Sequence, residues 1–232
     1  MTSPIFYSLQ HCPYAMRARM GLILAKQTVR LRAIVLKDKP KEMLQVSPKG
    51  TVPILVLKSR PRDDNNYRVI EESLEIMLWA LKQNDPSNLL YSDQPEMLTE
   101  MLSWIKLFDS EFKTSLEKYK SAKRYHETNK VEHRQHCEKY IGQLEQKLNQ
   151  HQFVMGGQLS LVDYAILPFI RQFSRVERPW YRSSPYPKLK HWLTAHLESP
   201  LFSQVMVKHP LWLENNEEVL FGARKSELLS KQ

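Results

Sequence analysis

Cysteine is scarce in this chain. Cys12 and Cys137 are the only two among 232 residues and stand 125 positions apart. Such a pair makes no disulfide framework, and a reducing, cytoplasmic setting is expected. No apolar run approaches the ~20 residues that a membrane-crossing helix needs. The N-terminus reaches Pro4 without a basic region followed by an apolar stretch, so no secretory leader and no membrane partner are expected. Zinc-finger spacing, RNP-like segments and long basic runs are all missing, which leaves nucleic acid unlikely as a partner. Internal repeats and low-complexity segments are missing too.

What is present is ordinary in bulk and uneven in charge. Hydrophobic residues make up 42% and charged residues 25%, typical of a globular protein, and the length allows one domain or two. The net charge is +9, and residues 1–82 carry most of it, with 14 Lys and Arg against 7 Asp and Glu. That field favours an anionic ligand or partner; the plainer reading is solubility.

The first 83 residues alternate strand and helix signals. Residues 4–9, 28–36, 52–58 and 67–70 read as strands, 13–27 and 72–83 as helices, and 39–50 can hold a short helix that ends by Pro48. The order β-α-β-α-β-β-α describes a compact α/β unit over 1–83. The turn-rich stretch 60–68 reads as a long hairpin loop, and 84–94, with two prolines nearby, as a linker. From 95 to 232 strand signals stop and an all-helical domain is expected. Its helices are predicted at 95–120, 130–149, 159–173, 187–199 and 200–209, with a polar tail after Pro210 that is either helical or frayed.

Cys12 is the first candidate for chemistry. A strand ends near Leu9 and Pro13 suits a first helical turn, so Cys12 falls at a helix N-terminus. Unpaired N–H groups and the helix dipole favour an anion there, and the thiolate is the reactive form of cysteine. A buried structural cysteine is the alternative. Ala15 stands where a dithiol motif would place its second sulfur, so Cys12 would act as a monothiol, attacking a mixed disulfide and being freed by an external thiol. Arg17 and Arg19 add nearby positive charge, and their role is open among site, dimer and solvent. Val52-Pro53 precedes a strand; a cis bond there would expose the Val52 backbone to an extended ligand. Glu72 and Ser73 precede a helix and read either as ordinary caps or as an anion and ammonium site.

Together, Cys-Pro-Tyr after the first strand, Val-Pro before the third and Glu-Ser at the third helix resemble the glutathione S-transferase family. "LSLVDYAILPF" (159–169) is similar to that family's buried helix, with Ser160 capping, Asp163 at its third position and Leu159 poised to staple to Tyr164. A cysteine at this place resembles the omega-like, cysteine-type members. The resemblance implies a thioredoxin-like α/β N-terminal domain followed by an all-α C-terminal domain. It implies Cys12 as the catalytic thiol flanked by Tyr14, Lys39 on the glycine carboxylate of glutathione, Val52 on its cysteinyl backbone, and Pro53 as a cis proline. Glu72 would hold the γ-glutamyl ammonium and Ser73 its carboxylate. Glutathione is the implied co-substrate, with no metal; a homodimer and a small hydrophobic or disulfide acceptor are the other implied partners. The long 60–68 loop departs from the pattern.

An acceptor site between the domains would draw on Trp104, Phe108, Phe112 and Phe169, although aromatics at helical spacing are usually core. Trp180, Tyr181 and Tyr186 fall in a Pro-rich loop and read as an entrance lining. His133, His136 and Cys137 share a helical face, but the surrounding charges favour a solvated surface over a metal site. The expected activity is glutathione-dependent thiol transfer or reduction. The alternatives are conjugation of glutathione to electrophiles and a non-catalytic interaction or regulatory module of the same architecture.

Overall fold

The computed structural model describes residues 3–58, 67–217 and 219–222. They divide into two compact units. One runs from the N-terminus to Pro86 and resumes at Pro200; the other is Ser87–Ser199.

In the first unit the elements are β1 (Ile5–Ser8), α1 (Pro13–Leu24), β2 (Val29–Ala33), α2 (Lys41–Val46), β3 (Ile54–Lys58), β4 (Tyr67–Ile70) and α3 (Ser73–Gln83). The hairpin stretch at 60–68 lies largely outside the described residues, but the strands on either side pair as antiparallel neighbours, Leu55 opposite Ile70. The sheet order is β4-β3-β1-β2-β5, with β5 at Val219–Phe221. β1 and β2 are parallel, with Phe6 opposite Leu31, and β3 is antiparallel to β1, with Phe6 opposite Leu55. All three of those residues are buried on one face, as the period-2 alternation of a strand requires. The neighbouring positions Tyr7, Ile54 and Val56 form a second cluster with Ile34 and Met43, and Met43 seats α2 on it. α1 and α3 pack closely at Gly21, where a Cβ would stand 2.7 Å from the Cα of Met77. Only a glycine lets the two backbones approach so far.

The fifth strand is a departure from the sequence reading. Residues from Pro200 onward were expected in the helical domain. Instead α10 (Pro200–Val205) packs on α1, and after the short helix α11 (Trp212–Asn215) the strand β5 (Val219–Phe221) adds to the sheet, antiparallel to β2. The tail is thus partly strand, and it covers an edge that would otherwise expose unpaired backbone groups.

The second unit is helical: α4 (Pro95–Leu107), α5 (Lys113–Arg124), α6 (Lys130–Gln150), α7 (Leu161–Val176), α8 (Arg178–Ser183) and α9 (Pro187–Leu197). The single helix expected at 95–120 is α4 and α5 joined through a π-helical turn at Phe108–Phe112. Phe108 and Phe112 are buried in it, their ring centroids 4.9 Å apart, and Phe169 is buried in α7. These three are core. The stretch 176–186 is not a loop: α8 occupies most of it, with a proline in its first turn, and Tyr181 is buried. α7 is buried along nearly its whole first three turns and runs through Pro168. Its start is a reciprocal capping box between Ser160 and Asp163. Cys137 also lies in the core rather than on a solvated face; burial pushes its thiol up to about 12. Among the described residues no three His, Cys, Asp or Glu side chains are grouped for a metal ion, and no helix is long and apolar enough to cross a membrane.

Candidate active site

A cavity of about 470 Å³ opens in the first unit, where the β1–α1 turn, the loop before β3 and the start of α3 come together. That volume suits a small-molecule ligand. Its walls include the seven residues proposed for glutathione, Cys12, Tyr14, Lys39, Val52, Pro53, Glu72 and Ser73, and none of the aromatics proposed for an acceptor or an entrance. Positions up to 61 residues apart in the chain therefore meet at one place.

Cys12 is the N-cap residue of α1, with Pro13 at the first helical position. It is half-buried, and its Sγ lies 3.8 Å from the carbonyl oxygen of Val52. The sulfur caps nothing, so the N-terminal end of α1 carries a thiol at a position where Ser, Thr, Asp and Asn are preferred. The Val52–Pro53 peptide is cis. Glu72 is the N-cap of α3 and also makes no capping bond, so ordinary capping is not what this Glu-Ser pair does. Ser73, buried, begins the helix at the cavity wall.

Arg17 and Arg19, open in the sequence reading, are both buried. Arg19 braces the turn that carries the thiol. Its guanidinium donates to Ser8 Oγ at 2.5 Å, to the Leu9 carbonyl at 3.2 Å and to the Gln10 carbonyl at 2.7 Å. Burial pulls its pKa down to about 10, opposed by the charge of a Cys12 thiolate. The Leu9 carbonyl also accepts from the Cys12 N–H at 3.3 Å, so the guanidinium adds a second donor there and supplies one to the partly buried Gln10 carbonyl. Arg17 stands by the Tyr14 ring, 6.0 Å from its centroid.

Lys49 is a site residue that the sequence reading missed. Its Nζ donates to Glu72 Oε1 at 2.9 Å across the mouth of the cavity, and this contact raises its pKa. Both side chains are more than half exposed, so the pair is an interchangeable surface contact rather than a fixed strut. Glu71, next to it, accepts from the Ser47 hydroxyl. Lys39 lies over Gly50, where an added Cβ would stand 3.1 Å from Lys39 Nζ and from Leu44. Gly50 has φ +62°, so the turn needs glycine for its backbone as well. Two lysines and the N-terminal ends of α1 and α3 make this an anion-attracting cavity, and its two carboxylates are both engaged, Glu71 by Ser47 and Glu72 by Lys49.

A second cavity, of about 400 Å³, lies in the helical unit beside the end of α6 and α9. It holds no thiol, and the first N–H groups of α9 are already taken: Glu145 accepts from Lys188 at 3.0 Å and from Leu189 at 2.8 Å.

Comparison with known proteins agrees with this geometry. Residues 6–88 match the glutathione S-transferase N-terminal domain and residues 107–200 the glutathione S-transferase C-terminal domain. Glutathione S-transferase omega-1 of Sus scrofa is 26% identical over 223 residues, covering 91% of this chain and 87% of the relative. The Mus musculus omega-1 protein is 26% identical over 198 residues, covering 85% of this chain and 78% of the relative. Among solved structures, glutathione transferase Omega 2C from Trametes versicolor superposes with TM-score 0.73 at 18% identity, covering 90% of this chain and 94% of that one. A glutathione transferase family member from Pseudomonas fluorescens, solved with two glutathione bound, gives TM-score 0.73 at 16% identity, covering 88% and 92%. The two domain matches account for most of the sequence, and the chain belongs to the glutathione S-transferase family, with omega-like features.

Proposed function

We propose that this glutathione S-transferase family member is a glutathione-dependent thiol transferase or reductase that works through one cysteine. The observation that carries the reading is the placement of Cys12. It is a half-buried thiol at the N-cap of α1, 3.8 Å from the Val52 carbonyl, in a cavity that also presents Lys39, Pro53, Glu72 and Ser73. Glutathione is a tripeptide with two carboxylates and one ammonium. The end of α3 and Ser73 suit its γ-glutamyl carboxylate, Glu72 its ammonium, Lys39 its glycine carboxylate, and the Val52 backbone its cysteinyl amide. Tyr14 and Pro53 flank the sulfur.

The chemistry balances in two exchanges. The Cys12 thiolate attacks the glutathione sulfur of a mixed disulfide, forms a Cys12–glutathione disulfide and releases the acceptor as a thiolate. A second glutathione, as its thiolate, then attacks that disulfide, leaving as oxidised glutathione and restoring the Cys12 thiolate. The acceptor is a small hydrophobic or disulfide compound, and the chain acts in the cytoplasm as a homodimer, in keeping with the family. Conjugation to electrophiles, the alternative, needs a free glutathione thiolate, whereas glutathione delivered as a disulfide is held on Cys12 as a mixed disulfide.

The test is to incubate the protein with oxidised glutathione and weigh it intact. One glutathione adduct is expected on the parent and none on Cys12→Ser. A parent that gains no adduct and is not retained on immobilised glutathione would sink the proposal.

A further inference from the structure

The segment after α10 leaves the thiol turn at one end and reaches α2 at the other. Gln10, two residues before Cys12, donates to the Met206 carbonyl at 2.8 Å. Six residues further along the segment, the Trp212 indole N–H donates to Glu42 Oε1 at 2.5 Å. The same Glu42 oxygen accepts from Arg32 at 3.3 Å, and the Arg32 guanidinium lies 4.0 Å over the Trp212 ring. Arg32 also donates to the Tyr7 hydroxyl at 2.9 Å, which ties the group to β1. Glu42 thus meets a cation and an indole that are themselves stacked, three groups in mutual contact.

What this group grips is α2. That helix has six residues and lacks a side-chain N-cap bond, so it has little intrinsic stability. Met43 anchors it from the sheet side and Glu42 from the segment side. Lys39 enters the cavity wall two residues before α2 begins, and Leu44 of α2 shares the Gly50 contact with it. A shift of α2 therefore moves Lys39 directly. Trp212 itself does not line the cavity.

We infer that Trp212 is a positioning residue for the anion-binding wall of the cavity, acting on Lys39 through Glu42 and α2. The inference rests on the proposed occupancy of that cavity by glutathione. It assigns the tail, which the sequence presents as a polar afterthought, a role in ligand affinity rather than in the exchange chemistry.

The test is a double-mutant cycle with reduced glutathione as the probe, by titration calorimetry in the Cys12→Ser protein, so that only non-covalent binding counts. Trp212→Ala should weaken binding about tenfold, the scale of one charge-assisted hydrogen bond. Trp212→Phe keeps the stack on Arg32 and loses only the N–H, and should weaken it by roughly half that on a logarithmic scale, about threefold. In a Lys39→Ala background both effects should shrink below about twofold, because the residue they act through is gone. In the Cys12-containing protein, Trp212→Ala should leave the rate of Cys12 alkylation by iodoacetamide unchanged. Unaltered binding in Trp212→Ala and Trp212→Phe overturns the inference, as does a tenfold loss that persists without Lys39. If the parent itself binds no glutathione, the occupancy of the cavity falls and the inference with it, a result distinct from a parent that binds and variants that match it.

Discussion

Helix α7 begins with Ser160 and meets Asp163 within its first turn; helix α1 begins with Cys12, whose side chain caps nothing. Asp163 accepts from the Ser160 N–H and hydroxyl, from the Val154 N–H and from the Trp192 indole, at 2.7–3.1 Å. Glu145 does similar service for α9. In the first unit, by contrast, the N-cap side chains of both α1 and α3 leave their helix ends to a cavity. Buried charge is also inverted between the units. Asp163 and Glu145 in the helical unit hold N–H groups, whereas Arg19 in the α/β unit holds carbonyls of the thiol turn. A helix end is a fixed electrostatic resource. At α7 and α9 the helical unit consumes it internally, and at α1 and α3 the α/β unit leaves it open to a cavity.

If that contrast is right, damage to a filled end should cost stability and leave the thiol alone. Asp163→Ala has the largest expected effect. It strips one acceptor from four donor contacts in a fully buried site, and about 3–5 kcal/mol of unfolding free energy should be lost. Chemical denaturation measures it. Below the transition the glutathione adduct on Cys12 should still form, since no group of the cavity belongs to the helical unit. A loss under 1 kcal/mol would mean that the Asp163 network is ornamental.

The converse experiment fills an open end. Cys12→Asp gives α1 the capping carboxylate that its N-terminus lacks and should stabilise the protein by about 1 kcal/mol, while abolishing the adduct. Stability and activity would then move in opposite directions at a single residue. A Cys12→Asp protein less stable than the parent would show that the end of α1 is not a vacant capping position, and the comparison between the units would fail at its central point.

Much of this was legible in the sequence, and the failures share a cause. The β-α-β-α-β-β-α order depends on local signals, alternation, caps and turn formers; Cys12, Val52, Pro53, Glu72 and Ser73 combine such signals with the family resemblance, which alone singled out Tyr14 and Lys39. β5 was missed because three residues, Val219–Phe221, carry too little periodicity to declare a strand; pairing with Val29–Leu31 creates it. Arg19 stays open in the sequence among site, dimer and solvent, and only the turn folding back over it supplies three acceptors. The Lys49–Glu72 contact spans 23 positions, and nothing in "KGTVPIL" marks its lysine over its proline. α8 was hidden by Pro179, which sits where a first turn tolerates it.

The smallest expected effect sharpens the comparison from the helical side. His196 is buried on α9, with Nδ1 2.9 Å from the Trp192 carbonyl and no partner for Nε2. Burial holds its pKa below the 6.5 of a free imidazole, against the pull of the Trp192 carbonyl and the Asp163 charge. The sign follows from proton counting. Below 6.5 the unfolded chain takes up a proton at this position that the native protein refuses, so stability falls as the pH drops from 6.5 toward the native value, and flattens beneath it. One such group gives a slope of at most about 1.4 kcal/mol per pH unit. His209 in the α/β unit is shifted the same way, by burial and by Arg19, so the wild-type curve alone cannot apportion the loss. His196→Phe can. It keeps an aromatic ring against Tyr164 and Trp192 and removes the unpartnered nitrogen. The difference between the wild-type and His196→Phe unfolding free energies should be flat above pH 7 and open as the pH falls through 6.5. Curves that stay parallel down to pH 5 would mean that His196 titrates as freely as an exposed histidine. The helical unit would then accept a buried cation, contrary to the inversion of buried charge drawn from Asp163 and Glu145 against Arg19.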